Sequence, residues 1–211
     1  MIELDIFSDT VCPWCYIGKK RLEKAINDHK NIEFKQTWRP FQLNPGMPPD
    51  GMDRQEYLIS KFGSADAAKT IYDNIYDEGL LEGINFNFDS IQTTPNSFNS
   101  HRLLALAYKQ GIQENVLDSL FESYFLNGED IGDPNILLDI AIKHQIDAED
   151  FKTYLSDQEN IEPLANEEIE ARKMGINSVP TFIVNKQIVI NGAQTSENFD
   201  IIFKKLTNNI N

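Results

Sequence analysis

At 211 residues the chain is long enough to bury a core of its own, and 41% hydrophobic with 25% charged residues is the composition of a folded protein. Nineteen Lys and Arg against 33 Asp and Glu give a net charge of -14, which repels phosphate backbones and anionic lipid and argues against nucleic-acid and membrane partners. The segment 1–7 carries acids where an export signal needs bases, and no run approaches the ~20 apolar residues of a bilayer span, so a cytoplasmic location is expected.

Residues 2–8 alternate and are rich in branched and aromatic side chains, which predicts a strand. Pro13 then sits where a missing N–H costs nothing, and Leu22, Ala25 and Ile26 recur at helical spacing, so a helix is expected over about 13–28. A second strand is expected over 32–38. The proline- and glycine-rich connection 39–51, RPFQLNPGMPPDG, fits neither a helix nor a central strand. From about 53 to 174 the pattern is helical throughout. Val116, Leu117, Leu120, Phe121 and Tyr124 form one apolar stripe, Asp133-Pro134 and Asp147 read as helix starts, and Gly175 ends an acidic helix over 158–174. Strands return at 181–184 and 188–190 as a hairpin, and a last helix opens near Ser196.

An all-helical block cannot continue a sheet, so the two strand-bearing ends are expected to join into one. The expected organisation is α/β, with residues 1–52 and 175–211 forming one sheet-bearing domain and 53–174 a helical insertion.

Cys12 and Cys15 are the two cysteines of the chain, spaced C-x-x-C at the strand-to-helix turn. A structural zinc site needs four ligands. No second cysteine pair exists, and His29, His101 and His144 stand far apart in sequence, so no metal is expected. A redox pair fits better. At a helix N-terminus the free N–H groups and the helix dipole favour a thiolate, which would lower the pKa of Cys12. Cys15, one turn further in, would resolve a mixed disulfide. Val179-Pro180 precedes a strand. On the residues alone an ordinary trans proline is the simpler assignment, whereas a cis bond would let the Val179 carbonyl and amide face a partner's chain.

Cys12-Pro13-Trp14-Cys15 after a strand, with Val179-Pro180-Thr181 before a hairpin, resembles the thioredoxin superfamily, and the helical block resembles its DsbA-type branch. SDTVCPWCYIG (8–18), WRPFQLNP (38–45), NSFNSHRLLALA (96–107) and SVPTFIVN…INGAQ (178–194) are similar to the FrnE-like proteins, relatives of 2-hydroxychromene-2-carboxylate isomerases and kappa-class glutathione transferases. The likeness spans essentially the whole chain. It implies a thioredoxin-like sheet with a DsbA-like insertion and a thiol–disulfide oxidoreductase, with Cys12 as nucleophile, Cys15 as resolving thiol and Pro180 cis beside them. Pro13, Trp14, Val179 and Thr181 would then meet the substrate, a disulfide-bearing protein or a low-molecular-weight thiol. No bound cofactor is implied, and glutathione is the candidate co-substrate. A glutathione-dependent isomerase or transferase of the same fold is the second reading, although such enzymes place serine at the position of Cys12. A chaperone-like binding module is the third.

One departure from the family concerns proton transfer. Thioredoxin and DsbA proteins carry a buried acid six residues before the first active cysteine. Here that residue is Ile6, and strand alternation turns Asp5 to the other face; water or a nearby hydroxyl such as Thr10 is the candidate to take over. Trp14 is expected either at a partner or against the helical block, and His101 as a satisfied core histidine, the alternative being a place facing the cleft near the thiols. Arg39 and Asn44 are candidates for anion binding or for turn formation. Lys19, Lys20 and Arg21 are expected to be solvated.

Overall fold

The computed structural model describes residues 1–208, so the last three residues of the expected 175–211 segment lie outside it. In chain order the elements are β1 (Ile2–Ser8), α1 (Pro13–Asn27), β2 (Phe34–Pro40), β3 (Met52–Asp53), α2 (Arg54–Phe62), α3 (Ala65–Leu81), β4 (Thr93–Thr94), α4 (Phe98–Lys109) and α5 (Gln113–Phe125). They continue with α6 (Pro134–Lys143), α7 (Ala148–Ser156), α8 (Ile161–Lys173), β5 (Thr181–Val184), β6 (Ile188–Asn191) and α9 (Ser196–Asn208).

The two ends of the chain do share one sheet, in the order β2-β1-β5-β6. β1 runs parallel to β2, with Ile6 opposite Trp38, and antiparallel to β5, with Ile6 opposite Phe182. Two corrections follow from the pairing. The second strand is displaced towards the proline-rich connection, because its register on β1 runs through Ser8↔Pro40; on an edge strand a proline without an N–H is tolerated. The span 53–174 is also not purely helical. Asp53 and Met52 pair with Thr93 and Thr94 in a two-residue ladder that closes off α2 and α3.

The caps explain where the insertion's helices begin. Asp53 accepts from the N–H groups of Gln55 and Glu56, Asp133 from Asn135, and Asp147 from Glu149 and Asp150. Gly175, at φ +87°, lets the chain leave α8 in a left-handed turn that a side chain resists. One apolar core runs through sheet and insertion together: Leu4 and Ile6 of β1 and Phe182 of β5 belong to the same cluster as Leu117, Phe121 and Phe125 of α5. Tyr16 of α1 joins them, its ring stacked on Phe121 at 4.9 Å and edge-on to Phe86 at 6.1 Å.

The expectation of solvated charge on α1 is overturned for two of three residues. Lys19 is 1% exposed and its Nζ sits 2.8 Å from Asp118 Oδ1 of α5, with Glu23 as a second partner. Arg21 donates to Glu82 at 2.7 Å, to Glu78, and to the Ala193 carbonyl at 2.8 Å. Glu23 is a neighbour on α1 itself, whereas Asp118, Glu78 and Glu82 lie far away in sequence and the fold brings them to α1 as it docks. Lys20 alone stays partly exposed.

Candidate active site

The sheet carries the cysteine pair to its position. β1 ends at Ser8, a short turn is closed by the Cys12 N–H donating to the Asp9 carbonyl at 3.1 Å, and Cys12 becomes the N-cap of α1 with Pro13 as first helical residue. Both cysteines are free thiols and both are buried, Cys15 at 0% exposure and Cys12 at 4%. The Val179–Pro180 peptide is cis. It brings the Val179 carbonyl oxygen to 3.8 Å from Cys12 Sγ, across 167 residues of sequence. Gly18, one turn beyond Cys15, makes that approach possible: a Cβ there would stand 3.0 Å from Pro180 Cγ and 3.4 Å from Phe182 Cζ.

The two thiols differ in their surroundings. Burial, followed by hydrogen bonding and charge interaction with Cys12, pushes the Cys15 thiol well above its ordinary value of 9.0, while the Ser8 hydroxyl and the Asp9 backbone pull the other way. Two of the raising influences therefore come from Cys12.

Pro13, Trp14, Val179 and Thr181 gather around this point with unequal access. Trp14 and Val179 are half-buried and pack against the core, whereas Pro13 and Pro180 are buried. Thr181 is 1% exposed; its hydroxyl donates to the Ser178 carbonyl at 2.8 Å and lies 3.1 Å from Asn191 Oδ1, so it faces inward. Arg39 is held by Asp5 and Glu167, each at 2.7 Å, and is in no position to bind a free anion. Asn44 is engaged with the Tyr57 hydroxyl at 3.1 Å. Thr10 Oγ1 lies 2.6 Å from Ser100 Oγ, whose own proton goes to the Ser97 carbonyl at 2.7 Å, so the Thr10 hydroxyl donates to Ser100.

Sequence reasoning missed Asp9. Ile6 is fully buried where the family places its acid, but Asp9, also at 0% exposure, supplies a carboxylate three residues before Cys12. Its Oδ2 accepts from the Leu43 N–H at 2.7 Å, and its Oδ1 stands 3.4 Å from His101 Nε2 of α4. His101 is buried as expected but not satisfied as expected: its Nε2 has no hydrogen-bond partner of normal geometry among the described residues. The signal was an aspartate in a strand-to-helix turn, which by pattern alone reads as ordinary turn chemistry.

The family of the DSBA-like thioredoxin domain matches residues 3–203. The chain belongs to this family. Among solved structures, this DsbA-like chain is similar to the probable DsbA oxidoreductase SCO1869 from Streptomyces coelicolor, with a TM-score of 0.87 and 29% identity over 97% of this chain and 89% of that one. It is 27% identical to the uncharacterised protein YwbO of Bacillus subtilis (strain 168) over 94% of both chains. The cytosolic disulfide reductase DsbM from Pseudomonas aeruginosa, solved with GSH, shares the fold at a TM-score of 0.69 and 15% identity, covering 98% of this chain and 99% of that one. A DsbA-like thioredoxin fold with a helical insertion is thereby established, and membership of the family supports an oxidoreductase role. Among the described residues no helix is long and apolar enough to cross a membrane.

Proposed function

We propose that the chain is a thiol–disulfide oxidoreductase working through Cys12 and Cys15. The observation that carries this reading is the placement of Cys12 Sγ 3.8 Å from the Val179 carbonyl, at the cis-proline, with the free thiol of Cys15 buried behind it. Cys12 lies where an incoming sulfur and an extended chain can be met together; Cys15 lies where only Cys12 can be reached.

In the reductive direction the Cys12 thiolate attacks one sulfur of a substrate disulfide. A Cys12–substrate S–S bond forms, the substrate bond breaks, and the other sulfur leaves as a thiolate. Cys15 then gives up its proton and attacks Cys12 Sγ; the Cys12–Cys15 bond forms and the second substrate sulfur leaves with its electron pair. The dithiol has supplied two electrons, and two equivalents of a low-molecular-weight thiol, with glutathione as the candidate, return them and leave joined as their own disulfide. The oxidative direction is the reverse. Trp14, Pro13 and the Val179 backbone are the substrate contacts in this reading, and Thr181 acts by holding the strand entrance rather than by touching substrate. The fold shared with cytosolic DsbM supports a cytoplasmic setting, where the partner is a disulfide-bearing protein or small thiol.

The test is reduction of insulin and reactivation of a scrambled disulfide protein. Cys12→Ser abolishes both, and Cys15→Ser accumulates a covalent adduct through Cys12 that dithiothreitol releases. Turnover that survives Cys12→Ser overturns the reading.

A further inference from the structure

Away from the dithiol, the helical insertion encloses a cavity of about 520 Å³ whose lining includes none of Cys12, Cys15, Val179 and Pro180. Its lining includes Arg54, the first residue of α2, only 5% exposed. A guanidinium withdrawn so far from water is ordinarily matched by a carboxylate. Arg54 has none among the described residues. Its Nη1 donates to Thr94 Oγ1 at 3.1 Å and stands 3.5 Å from the Tyr124 hydroxyl, while its central carbon lies 4.9 Å from the Tyr72 ring centroid. Hydroxyls and aromatic faces orient a cation without neutralising it. The rest of the fork is what a planar carboxylate takes in two parallel hydrogen bonds.

The remainder of the lining restricts what else the ligand carries. Phe86 and Phe88 stack with centroids 4.7 Å apart and Tyr72 meets Phe88 edge-on at 4.8 Å, giving the cavity an apolar wall. Four aspartates stand around it. Asp53 is engaged in capping α2, and Asp73 is held by Lys69 at 2.8 Å. Asp66 and Asp89 are exposed and make no ion pair among the described residues. A simple anion approaching Arg54 is repelled by these two carboxylates; a molecule with a trailing ammonium is attracted by them.

We propose that this cavity binds a small zwitterion with an apolar middle, its carboxylate on Arg54 and its ammonium towards Asp66 and Asp89, the class to which short free peptides belong. The volume is in the usual range for a small-molecule pocket. The site shares no residue with the dithiol and stands whether or not the disulfide chemistry is as described above.

Isothermal titration of the reduced full-length protein with glycyl-L-phenylalanine tests it, alongside the same dipeptide as its C-terminal amide and as its N-acetyl derivative. Saturable 1:1 binding is expected for the free dipeptide, at least about tenfold weaker for the amide, and weaker also for the N-acetyl form. Arg54→Lys keeps the charge but loses the fork, and is expected to weaken binding about tenfold or more while its urea midpoint reports that it is folded. Absence of saturable binding of the dipeptide overturns the proposal. So does an amide or an N-acetyl form that binds as tightly as the free dipeptide, or a folded Arg54→Lys protein with unchanged affinity.

Discussion

His101 Nε2 faces Asp9 Oδ1 across 3.4 Å, each side chain shut away from solvent, with Asp9 three positions before Cys12. The same carboxylate fixes the Leu43 backbone of the proline-rich connection. Asp9 therefore ties together the strand end, the connection and α4 around the cysteine turn.

Removing that carboxylate leaves the Leu43 N–H without its acceptor in a dry setting. Asp9→Ala is expected to cost about 2–4 kcal/mol, and Asp9→Asn, which retains one oxygen, less. Urea denaturation of the two variants reads the difference; coincident midpoints would contradict this role for the carboxylate.

Cys15 gives stability a pH dependence of known sign. In the unfolded chain the thiol ionises near its ordinary 9.0, whereas in the folded protein it ionises only well above that. Between the two the unfolded state binds fewer protons, so stability falls as pH rises through about 9. The comparison that isolates the effect is Cys12→Ser against Cys12→Ser/Cys15→Ser, in which burial still acts on Cys15. Between about pH 7 and about pH 10 the single variant should lose stability relative to the double; parallel profiles would refute the assignment. Tyr16, pushed up to about 12 by burial, and Tyr124, raised further, contribute with the same sign only at higher pH.

Gly18 is a positioning residue for Pro180. In Gly18→Ala the gain in helix propensity, up to ~1 kcal/mol, is offset by crowding at 3.0 Å, so little net change in stability is expected, together with slower exchange as Pro180 is displaced. Gly18→Val adds a branched side chain to the same space and should cost about 1–3 kcal/mol. Thermal unfolding and insulin reduction on both variants check this, and full activity in Gly18→Val would show that the contact is slack.

On α1 the buried arginine should matter more than the exposed lysine. Arg21→Met strands Glu82, whose side chain is 15% exposed, and is expected to destabilise by about 1–3 kcal/mol; Lys20→Met, with partners at the surface, should stay within about 0.5 kcal/mol. The ranking is read from urea midpoints, and the reverse order would sink it.

What was legible in the sequence is what short-range chemistry encodes. The alternation of β1, proline at the start of α1, the aspartate caps of α6 and α7 and the closing Gly175 each act within a few residues, and each is found where the pattern puts it. The β3–β4 ladder has two residues per strand and so carries no periodicity. The fate of Lys19 and Arg21 depends on Asp118, Glu78 and Glu82, whose proximity exists only after the insertion has packed. The C-x-x-C pair and the proline were visible as motifs, but not the Asp9–His101 contact, since nothing local in either segment names the other. Arg54 was invisible for a related reason: a lone arginine after an aspartate reads as a helix start until its burial is seen.

The register of β1 on β5, Leu4 opposite Val184, sets an order of events during synthesis. The segment bearing Cys12 and Cys15 emerges from the ribosome well before the strand that completes its cradle, which is translated about 170 residues later, after every helix of the intervening layer. Closing so long a loop is a late, non-local step. Until β5 has emerged, a nascent molecule thus carries the Cys12 and Cys15 thiols without the strand that completes their surroundings, and protection of that pair falls to the cell.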